Sequence, residues 1–274
     1  MLAPEALRLA AIRLTPVSGT PRLDAELLLA HALEIDRSDL LLKLRDLTAP
    51  ATFDPLVARR ARGEPIAHIT GTRDFWTLSL RVTPDVLIPR PDSETLIEAA
   101  IDHFRDRPPP THILDLGTGS GALLLAALDI WCDATGLGVD ASQAALAVAQ
   151  DNARRTGLAA RADFRVGDWG AGIGDRFDLI LANPPYVSTA AQLPRDVLDH
   201  EPHQALFAGA DGLDDYRRIA PQLPGLLAAD GFAAIEIGFD QGESAAALFR
   251  EAGFDVTVRR DIAGQDRCLQ IHHA

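Results

Sequence analysis

Two consecutive prolines, Pro184 and Pro185, follow the apolar run Leu179 to Ala182 by one residue, and that stop constrains the fold more than any other feature of the chain. The run reads as the end of a strand covered on both faces, as the strands of parallel sheets are. Proline has no ladder N–H, so the chain must leave the sheet here. Pro184 holds Asn183 extended and Pro185 does the same to Pro184, so the Asn183 side chain and the Pro184 carbonyl point at one spot beyond the strand's carboxyl end. In open α/β sheets that edge is where ligands bind. The corner Asn183-Pro184-Pro185-Tyr186 offers two hydrogen-bond acceptors and a flat aromatic face. It suits a planar NH2 group whose two donors are held while Tyr186 stacks on its π-system, and it suits an anion poorly. Taken alone, the same four residues also read as a plain strand-end turn.

Three upstream strand ends give the corner a context. His112 to Leu116 is a buried strand running into Gly117-Thr118-Gly119-Ser120-Gly121, and a helix follows from about Ala122 to Trp131. Glycines let the backbone turn tightly against a ligand, and the helix N-terminus adds favourable N–H dipoles. The loop follows G-x-G-x-G, and Asp115 just before it is a poor neighbour for a pyrophosphate but a good one for an ammonium or sulfonium. The loop therefore favours S-adenosylmethionine over NAD. The next strand, Leu137-Gly138-Val139, ends in Asp140, where an acid accepts both ribose hydroxyls of an adenosine. A third, Phe164-Arg165-Val166, ends at Gly167-Asp168-Trp169, where an acid can take an adenine amine and an indole can lie against its ring.

The remainder of the chain supplies a helical front end and a sheet to carry these loops. Pro4 to Leu14, Arg22 to Leu33, Ser38 to Leu47 and Asp54 to Arg62 place Leu or Ala at three-and-four spacing and predict short helices, with Asp36 or Ser38 as an N-cap and Gly63 past the last one. From His68 to Val82 the texture becomes strand-like, and Leu78, Leu80 and Val82 alternate with polar residues as a hairpin does. Phe75-Trp76 reads as packing. Ile88-Pro89-Arg90-Pro91-Asp92-Ser93-Glu94 holds Arg90 in a stiff loop, and Pro91-Asp92-Ser93 opens a helix to about Phe104 with cap chemistry. That loop is either a rigid linker or a cover over the site. Gly231 to Gly238 predicts a fifth strand, Gln241 to Ala252 a helix, and Asp255 to Arg260 with Arg267 to His272 a closing hairpin. His200-Glu201-Pro202-His203 looks like a metal pair only superficially, because Pro202 prevents the helix that would align the histidines and no third ligand is evident. No metal is expected.

Charge narrows the partners. Of the chain's 26 basic and 39 acidic side chains, residues 1–75 hold ten of each, which leaves 16 against 29 for the remainder. Affinity for nucleic acid is built largely from phosphate neutralisation, so an acidic second part argues against a nucleic-acid substrate. No apolar run approaches the roughly 18 residues of a membrane span. Met1 to Leu14 lacks the apolar core and cleavage site of a signal peptide. Cys132 and Cys268 form no CxxC pair, as expected of reduced thiols in a cytoplasmic protein.

Asp115-Leu-Gly-Thr-Gly-Ser-Gly121, Asp140, Asp168-Trp169 and Asn183-Pro-Pro-Tyr186, together with Ile88-Pro-Arg-Pro-Asp-Ser-Glu94, Gly63-Glu-Pro-Ile-Ala-His-Ile-Thr-Gly71 and Asp211-Gly-Leu-Asp214, resemble the release factor glutamine N(5)-methyltransferase family over nearly the whole chain. The resemblance implies an α/β fold: a Rossmann-like class I methyltransferase with a seven-stranded sheet whose last strand is antiparallel, behind a small all-helical domain. It implies a helical substrate-recognition domain at 1–72, a methyltransferase domain at 73–274, and a hairpin at about 73–90 leading into the latter. The substrate would be the glutamine of the Gly-Gly-Gln tip of peptide release factors. By analogy Gly117, Thr118, Gly119, Ser120, Gly121, Asp140, Asp168, Trp169 and Asn183 contact S-adenosylmethionine, and Asn183, Pro184, Pro185 and Tyr186 hold the glutamine amide, with Arg90 as a further substrate contact. Asn183, Pro184 and Tyr186 would carry the catalysis. Two other readings share these motifs: an amino methyltransferase of nucleic-acid bases, and a catalytically silent cofactor-binding module.

Overall fold

A computed structural model describes residues 1–274 as two compact units, Met1–Thr72 with Leu193–His200, and Arg73–Gln192 with Glu201–Ala274. In the first, helices α1 (Ala3–Leu14), α2 (Pro21–Leu33), α3 (Arg37–Lys43) and α4 (Phe53–Arg60) bury Leu7, Leu14, Leu28, Leu29, Leu40 and Val57 against one another. Asp36 takes the N-cap position of α3 but its side chain makes no cap hydrogen bond. A fifth helix, α5 (Ile66–Thr70), occupies a stretch that the sequence texture assigns to the start of a strand. Pro65 is extended ahead of it, the Thr70 hydroxyl bonds back to the Ile66 carbonyl, and Gly71 closes it in the left-handed conformation. The Gly63-Glu64-Pro65 break is held from below by a buried arginine. Arg60 donates to Asp24 Oδ2 at 2.7 Å and to the carbonyls of Val17, Gly63 and Glu64, so its charge is paired and its donors are used.

The second unit opens with a two-stranded hairpin, β1 (Thr72–Phe75) and β2 (Leu78–Arg81), followed by α6 (Glu94–Phe104). Strands β3 (His112–Leu116), β4 (Thr135–Asp140), β5 (Ala162–Val166) and β6 (Phe177–Ala182) then alternate with α7 (Ala122–Ile130) and α8 (Gln143–Arg155). After α9 (Arg195–His200), which groups with the helical unit, come α10 (Asp214–Ile219), α11 (Leu223–Leu226), β7 (Leu227–Glu236), α12 (Gly242–Glu251), β8 (Phe254–Arg260) and β9 (Asp266–His273). The seven strands of the main sheet run in the order β5-β4-β3-β6-β7-β9-β8, and β9 is antiparallel to both neighbours. This is the class I methyltransferase fold. β7 starts four residues before the predicted Gly231 because the strand continues through a register irregularity opposite Phe177. No helix is long and apolar enough to cross a membrane.

Strand periodicity splits the core in two. Along β6, Leu179 and Leu181 face the layer built by α6 and α7, while Ile180 and Ala182 face the layer built by α10, α11 and α12. Register aligns the strand ends, since Leu116 pairs with Val139 on one side and with Ala182 on the other, Asp140 pairs with Val166, and Ala182 with Ile235. From β3 the chain winds outward through β4 and β5, then returns to the opposite side of β3 as β6. The loops after β3 and β6 therefore diverge, and this topological switch opens a crevice at the carboxyl edge of the sheet.

Candidate active site

A cavity of about 410 Å³ sits at that edge, within the size range of small-molecule sites. Gly117, Thr118, Gly119 and Ser120 line it from the loop after β3, Asp140 and Ser142 from the end of β4, Asp168 and Trp169 from the end of β5, and Asn183 and Pro185 from the end of β6. Four loops separated by long stretches of sequence thus share one wall.

The glycine loop is stitched down before any ligand arrives. The amides of Gly117 and Thr118 both donate to the Val139 carbonyl, at 2.8 and 3.0 Å, and Gly119 N–H donates to Asp140 Oδ2 at 2.9 Å. Gly119 has φ 54°, and a Cβ there would meet no protein atom closer than 3.9 Å, so a side chain would fill cavity space instead of clashing with the wall. Gly121 lies behind the loop, where a Cβ would come within 3.2 Å of Leu125 Cδ1 and 3.3 Å of Ala149 Cβ; it packs α7 against α8 and is not part of the cavity wall. Trp169 takes the left-handed conformation, with φ 52°, and its ring edge would meet a Cβ at Gly117 at 3.0 Å. Asp168, expected on an adenine amine, is ion-paired with Arg218 on the same cavity wall.

Two acids flank the crevice in different surroundings. Asp140 is partly exposed, with Oδ1 accepting from Ser142 N–H at 2.8 Å and Oδ2 from Gly119. Asp115 is buried, Oδ2 accepts from Thr118 Oγ1 at 2.6 Å, and Oδ1 makes no well-formed hydrogen bond, although the Leu124 amide in α7 acts on it electrostatically. Burial pushes its carboxyl up to about 7, against the pull of the Thr118 hydroxyl. A cationic ligand nearby would restore the charge. A glycine loop whose backbone a ligand can approach closely, an acid at the second strand end, an indole at the third and a proton-hungry carboxylate beneath the loop fit an adenosine that carries an ammonium and a sulfonium.

The corner after β6 is held by side chains the sequence did not single out. Asn183 Nδ2 donates to Ser93 Oγ at 3.0 Å, and Ser93 Oγ donates to Glu236 Oε2 at 2.5 Å. Tyr186 Oη donates to the other oxygen, Glu236 Oε1, at 3.2 Å, and burial pushes that phenol up. Pro91-Asp92-Ser93 was expected to open α6 with cap chemistry; Ser93 makes no cap bond, and a single 3₁₀ turn over Pro91–Ser93 precedes the helix while the Ser93 hydroxyl bonds to Glu236. Glu236, the last residue of β7, is buried, and that burial pushes its carboxyl up to about 7, partly offset by Ser93, Arg267 and Tyr186. The signal for it was present: an acid closing the apolar run Phe232 to Ile235, one strand over from Asn183. Asp211-Gly-Leu-Asp214 supports the corner from behind, because a Cβ at Gly212 would fall 2.3 Å from the Tyr186 carbonyl oxygen. Gln241 Nε2 bridges that carbonyl and the Gly212 carbonyl.

Arg90 points elsewhere. Its guanidinium pairs with the buried Glu201, whose second oxygen accepts from Ile88 N–H at 3.0 Å. Glu201 thereby straps the Ile88-Pro89-Arg90 loop, and the loop reaches the cavity through Leu87, Pro89 and Ser93 while Arg90 does not line it. The two histidines beside Glu201 form no metal cluster with it. Asn152, on α8, is a further residue missed. Fully buried, it accepts from Arg81 N–H and donates to the carbonyls of Arg81 and Ser120, tying the hairpin to the glycine loop. Phe75, read as packing, is buried and also forms part of the cavity wall.

Residues 5–71 match the family described as PrmC N-terminal domain, and residues 109–210 match a methyltransferase domain family. The release factor glutamine methyltransferase of Rhodospirillum rubrum is 43% identical over 255 residues, covering 91% of this chain and 78% of its own length. That of Cereibacter sphaeroides is 43% identical over 276 residues and covers 98% of both. Among solved structures, the T. thermophilus 16S rRNA N2 G1207 methyltransferase in complex with S-adenosylmethionine and guanosine superposes with a TM-score of 0.53 at 18% identity, over 74% of this chain and 50% of that one; this likeness speaks for the fold alone.

Proposed function

The chain belongs to the release factor glutamine methyltransferase family, and we infer from that membership that it transfers a methyl group from S-adenosylmethionine to the side-chain amide nitrogen of the glutamine in the Gly-Gly-Gln motif of peptide chain release factors. The observation that supports placing the chemistry at the β3/β6 crevice is the Asn183 amide. Its nitrogen is tied to Ser93, so its oxygen is the end left for a ligand, on the same cavity as the glycine loop and Asp140.

When bound, S-adenosylmethionine supplies an electrophilic methyl group on a sulfonium. The chain's own residues do the rest. Gly117 to Ser120 offer backbone to the cofactor, Asp140 accepts its ribose hydroxyls, and Trp169 covers the adenine. Asn183 Oδ1 and the Pro184 carbonyl accept the two N–H bonds of the substrate amide, and Tyr186, anchored at its hydroxyl, stacks on the amide plane. The nitrogen is a weak nucleophile, since amide resonance is strong enough to raise a rotational barrier of about 18–20 kcal/mol. Two hydrogen bonds of about 1–3 kcal/mol each do not undo that. They bias the nitrogen and fix its in-line approach, and positioning of this kind contributes about 7–11 kcal/mol. The methylated nitrogen then carries one proton too many and sheds it readily to water, so no general base is required.

The helical unit is assigned to docking of the protein substrate, because residues 1–72 contain no glycine loop and no strand-end acid. Nucleic acid is disfavoured as a substrate by the acidic balance beyond residue 75. The reaction belongs in the cytoplasm, where ribosomes terminate, and Cys132 and Cys268 are both free thiols. The test is incubation with labelled cofactor and, separately, release factor, tRNA, rRNA and DNA. Label is expected on the Gly-Gly-Gln glutamine, and label on a nucleic acid with none on release factor would overturn the reading.

A further inference from the structure

An asparagine that must present its oxygen has a problem of symmetry. The two ends of its amide are nearly the same size, and turning it over replaces an acceptor with a donor. Facing a substrate NH2, only the oxygen is useful. Ser93 Oγ, 3.0 Å from Nδ2, does not decide the matter alone, because a hydroxyl donates to an oxygen as readily as it accepts from an N–H.

The hydroxyl's single hydrogen is, however, already committed. Ser93 Oγ lies 2.5 Å from Glu236 Oε2, and in its ionised form, which prevails above about pH 7, that carboxylate only accepts. With its hydrogen on Glu236, Ser93 faces Asn183 with lone pairs, and only the NH2 end of the amide can meet them. We propose that Glu236 and Ser93 form a relay that fixes the Asn183 amide with its oxygen toward the substrate, making Glu236 a positioning residue for methyl transfer. The proposal rests on the reading that Asn183 Oδ1 holds the substrate amide.

The surroundings of Glu236 fit that task. Its second oxygen receives Tyr186 Oη, so one carboxylate orients both polar side chains of the corner. Its backbone carbonyl receives Tyr216 Oη at 2.9 Å, which pins the end of β7. Arg267 is the cation acting on it, yet Arg267 Nε is bonded to Asp261 and no direct pair with Glu236 forms. A buried acid with so little compensation costs stability that an apolar residue would not, which points to a use for the charge. Ser93 stands between it and Asn183, so Glu236 acts on the amide through the serine.

Three variants test the relay in single-turnover methyl transfer at saturating S-adenosylmethionine with a Gly-Gly-Gln release factor, with cofactor affinity measured by calorimetry as the check on folding. Asn183→Ala should slow transfer by about 10²–10³, as loss of a preorganised hydrogen-bonding group does. Ser93→Ala frees the amide to turn and should slow transfer about fivefold, the equivalent of one ordinary hydrogen bond. Glu236→Gln keeps only one acceptor, so it turns an NH2 either on Ser93 Oγ, releasing the serine hydrogen toward Asn183, or on Tyr186 Oη, displacing the tyrosine hydrogen, and should slow transfer about tenfold or more. Cofactor affinity should stay within about threefold throughout for Ser93→Ala and Glu236→Gln, because neither group is assigned to the cofactor. The deciding measurement is Ser93→Ala in the Asn183→Ala background. A serine that works only through Asn183 has no further effect there, whereas a structural serine slows both backgrounds equally. Equal slowing, or wild-type transfer by Ser93→Ala, overturns the relay even if Glu236→Gln does not fold. Wild-type transfer by Asn183→Ala overturns the reading of the corner itself, and the relay with it.

Discussion

Replacing Asp140 tests the cofactor half of the site through a count of lone pairs. An ionised carboxylate offers about four acceptor positions. In the structure one on Oδ2 is taken by Gly119 N–H and one on Oδ1 by Ser142 N–H, which leaves one on each oxygen for the cavity that Asp140 lines. Two ribose hydroxyls would fill that remainder. Asp140→Ala removes both acceptors, and charge-assisted bonds are worth about 1.5–3 kcal/mol each. Water recovers part of the loss, so the net effect should be at least one such bond, a rise of roughly 10- to 150-fold in the S-adenosylmethionine Kd. Gly119 and Ser142 lose their partner in free and bound protein alike, so their loss appears in Tm and not in affinity. Asp140→Asn is the sharper variant. Its NH2 end must face either Gly119 N–H or Ser142 N–H, donor against donor, so it should bind almost as poorly as Asp140→Ala despite being isosteric. Calorimetric titration decides. Unchanged affinity in a folded Asp140→Ala protein would refute the assignment, and wild-type affinity in Asp140→Asn would show that one oxygen suffices.

Three further outcomes follow from the same structure. Asn152→Ala leaves Arg81 N–H and the Arg81 and Ser120 carbonyls without a buried partner, and should cost about 2–4 kcal/mol in urea unfolding, since each stranded group costs about 1–3 kcal/mol; a loss below about 1 kcal/mol would mean water replaces the amide. Asp115 has its folded carboxyl raised by burial to about 7, from about 3.9 in an unfolded chain, so the folded state holds the proton more tightly. Its contribution is complete at low pH and declines as pH rises towards 7. Cofactor-free Asp115→Asn should therefore gain Tm over the wild type as pH goes from 5 to 8 while binding S-adenosylmethionine more weakly; a Tm difference independent of pH would contradict this. Deleting residues 1–72 should spare cofactor affinity and slow methylation of full-length release factor, and a folded truncation with normal kcat/KM would remove the helical unit from substrate docking.

Much of the fold was legible because the buried apolar runs stop at a glycine, an acid or an Asn-Pro pair. Gly117 after β3, Asp140 closing β4 and Asn183-Pro184 after β6 mark the carboxyl edge to within a residue or two, and β6 runs over the predicted Phe177 to Ala182. What pattern reading lost were places where a side chain's partner lies far along the chain. Gly231 looked like a strand start and is an irregularity inside β7. Pro91-Asp92-Ser93 reads locally as the start of a helix, yet the partner of the Ser93 hydroxyl, Glu236, is 143 residues away. Arg90, a substrate contact by resemblance to the family, is paired with Glu201, 111 residues off and inside a stretch that only superficially looks like a metal pair. Local spacing carries no trace of such pairings.

The same limit explains why three strand-end acids that look alike in sequence do different work. Asp115, Asp140 and Glu236 each stand at or beside the carboxyl end of a parallel strand, and only burial separates them. Asp140 keeps contact with solvent and accepts from two backbone donors. Asp115 and Glu236 are 1% exposed, and burial raises both to about 7. The chain would fold more stably with neutral residues at these two positions, because each ionised carboxylate loses solvation that its neighbours return only in part. One lies beneath the glycine loop and the other behind the Asn183 corner, so the two destabilising charges bracket the crevice where the cationic cofactor and the substrate amide would meet. The cofactor's positive charge would relieve the first on binding. The second has no such ligand, and its charge is of use only if it directs hydrogens, which is why the Ser93 and Asn183 double variant bears on the whole account of the site.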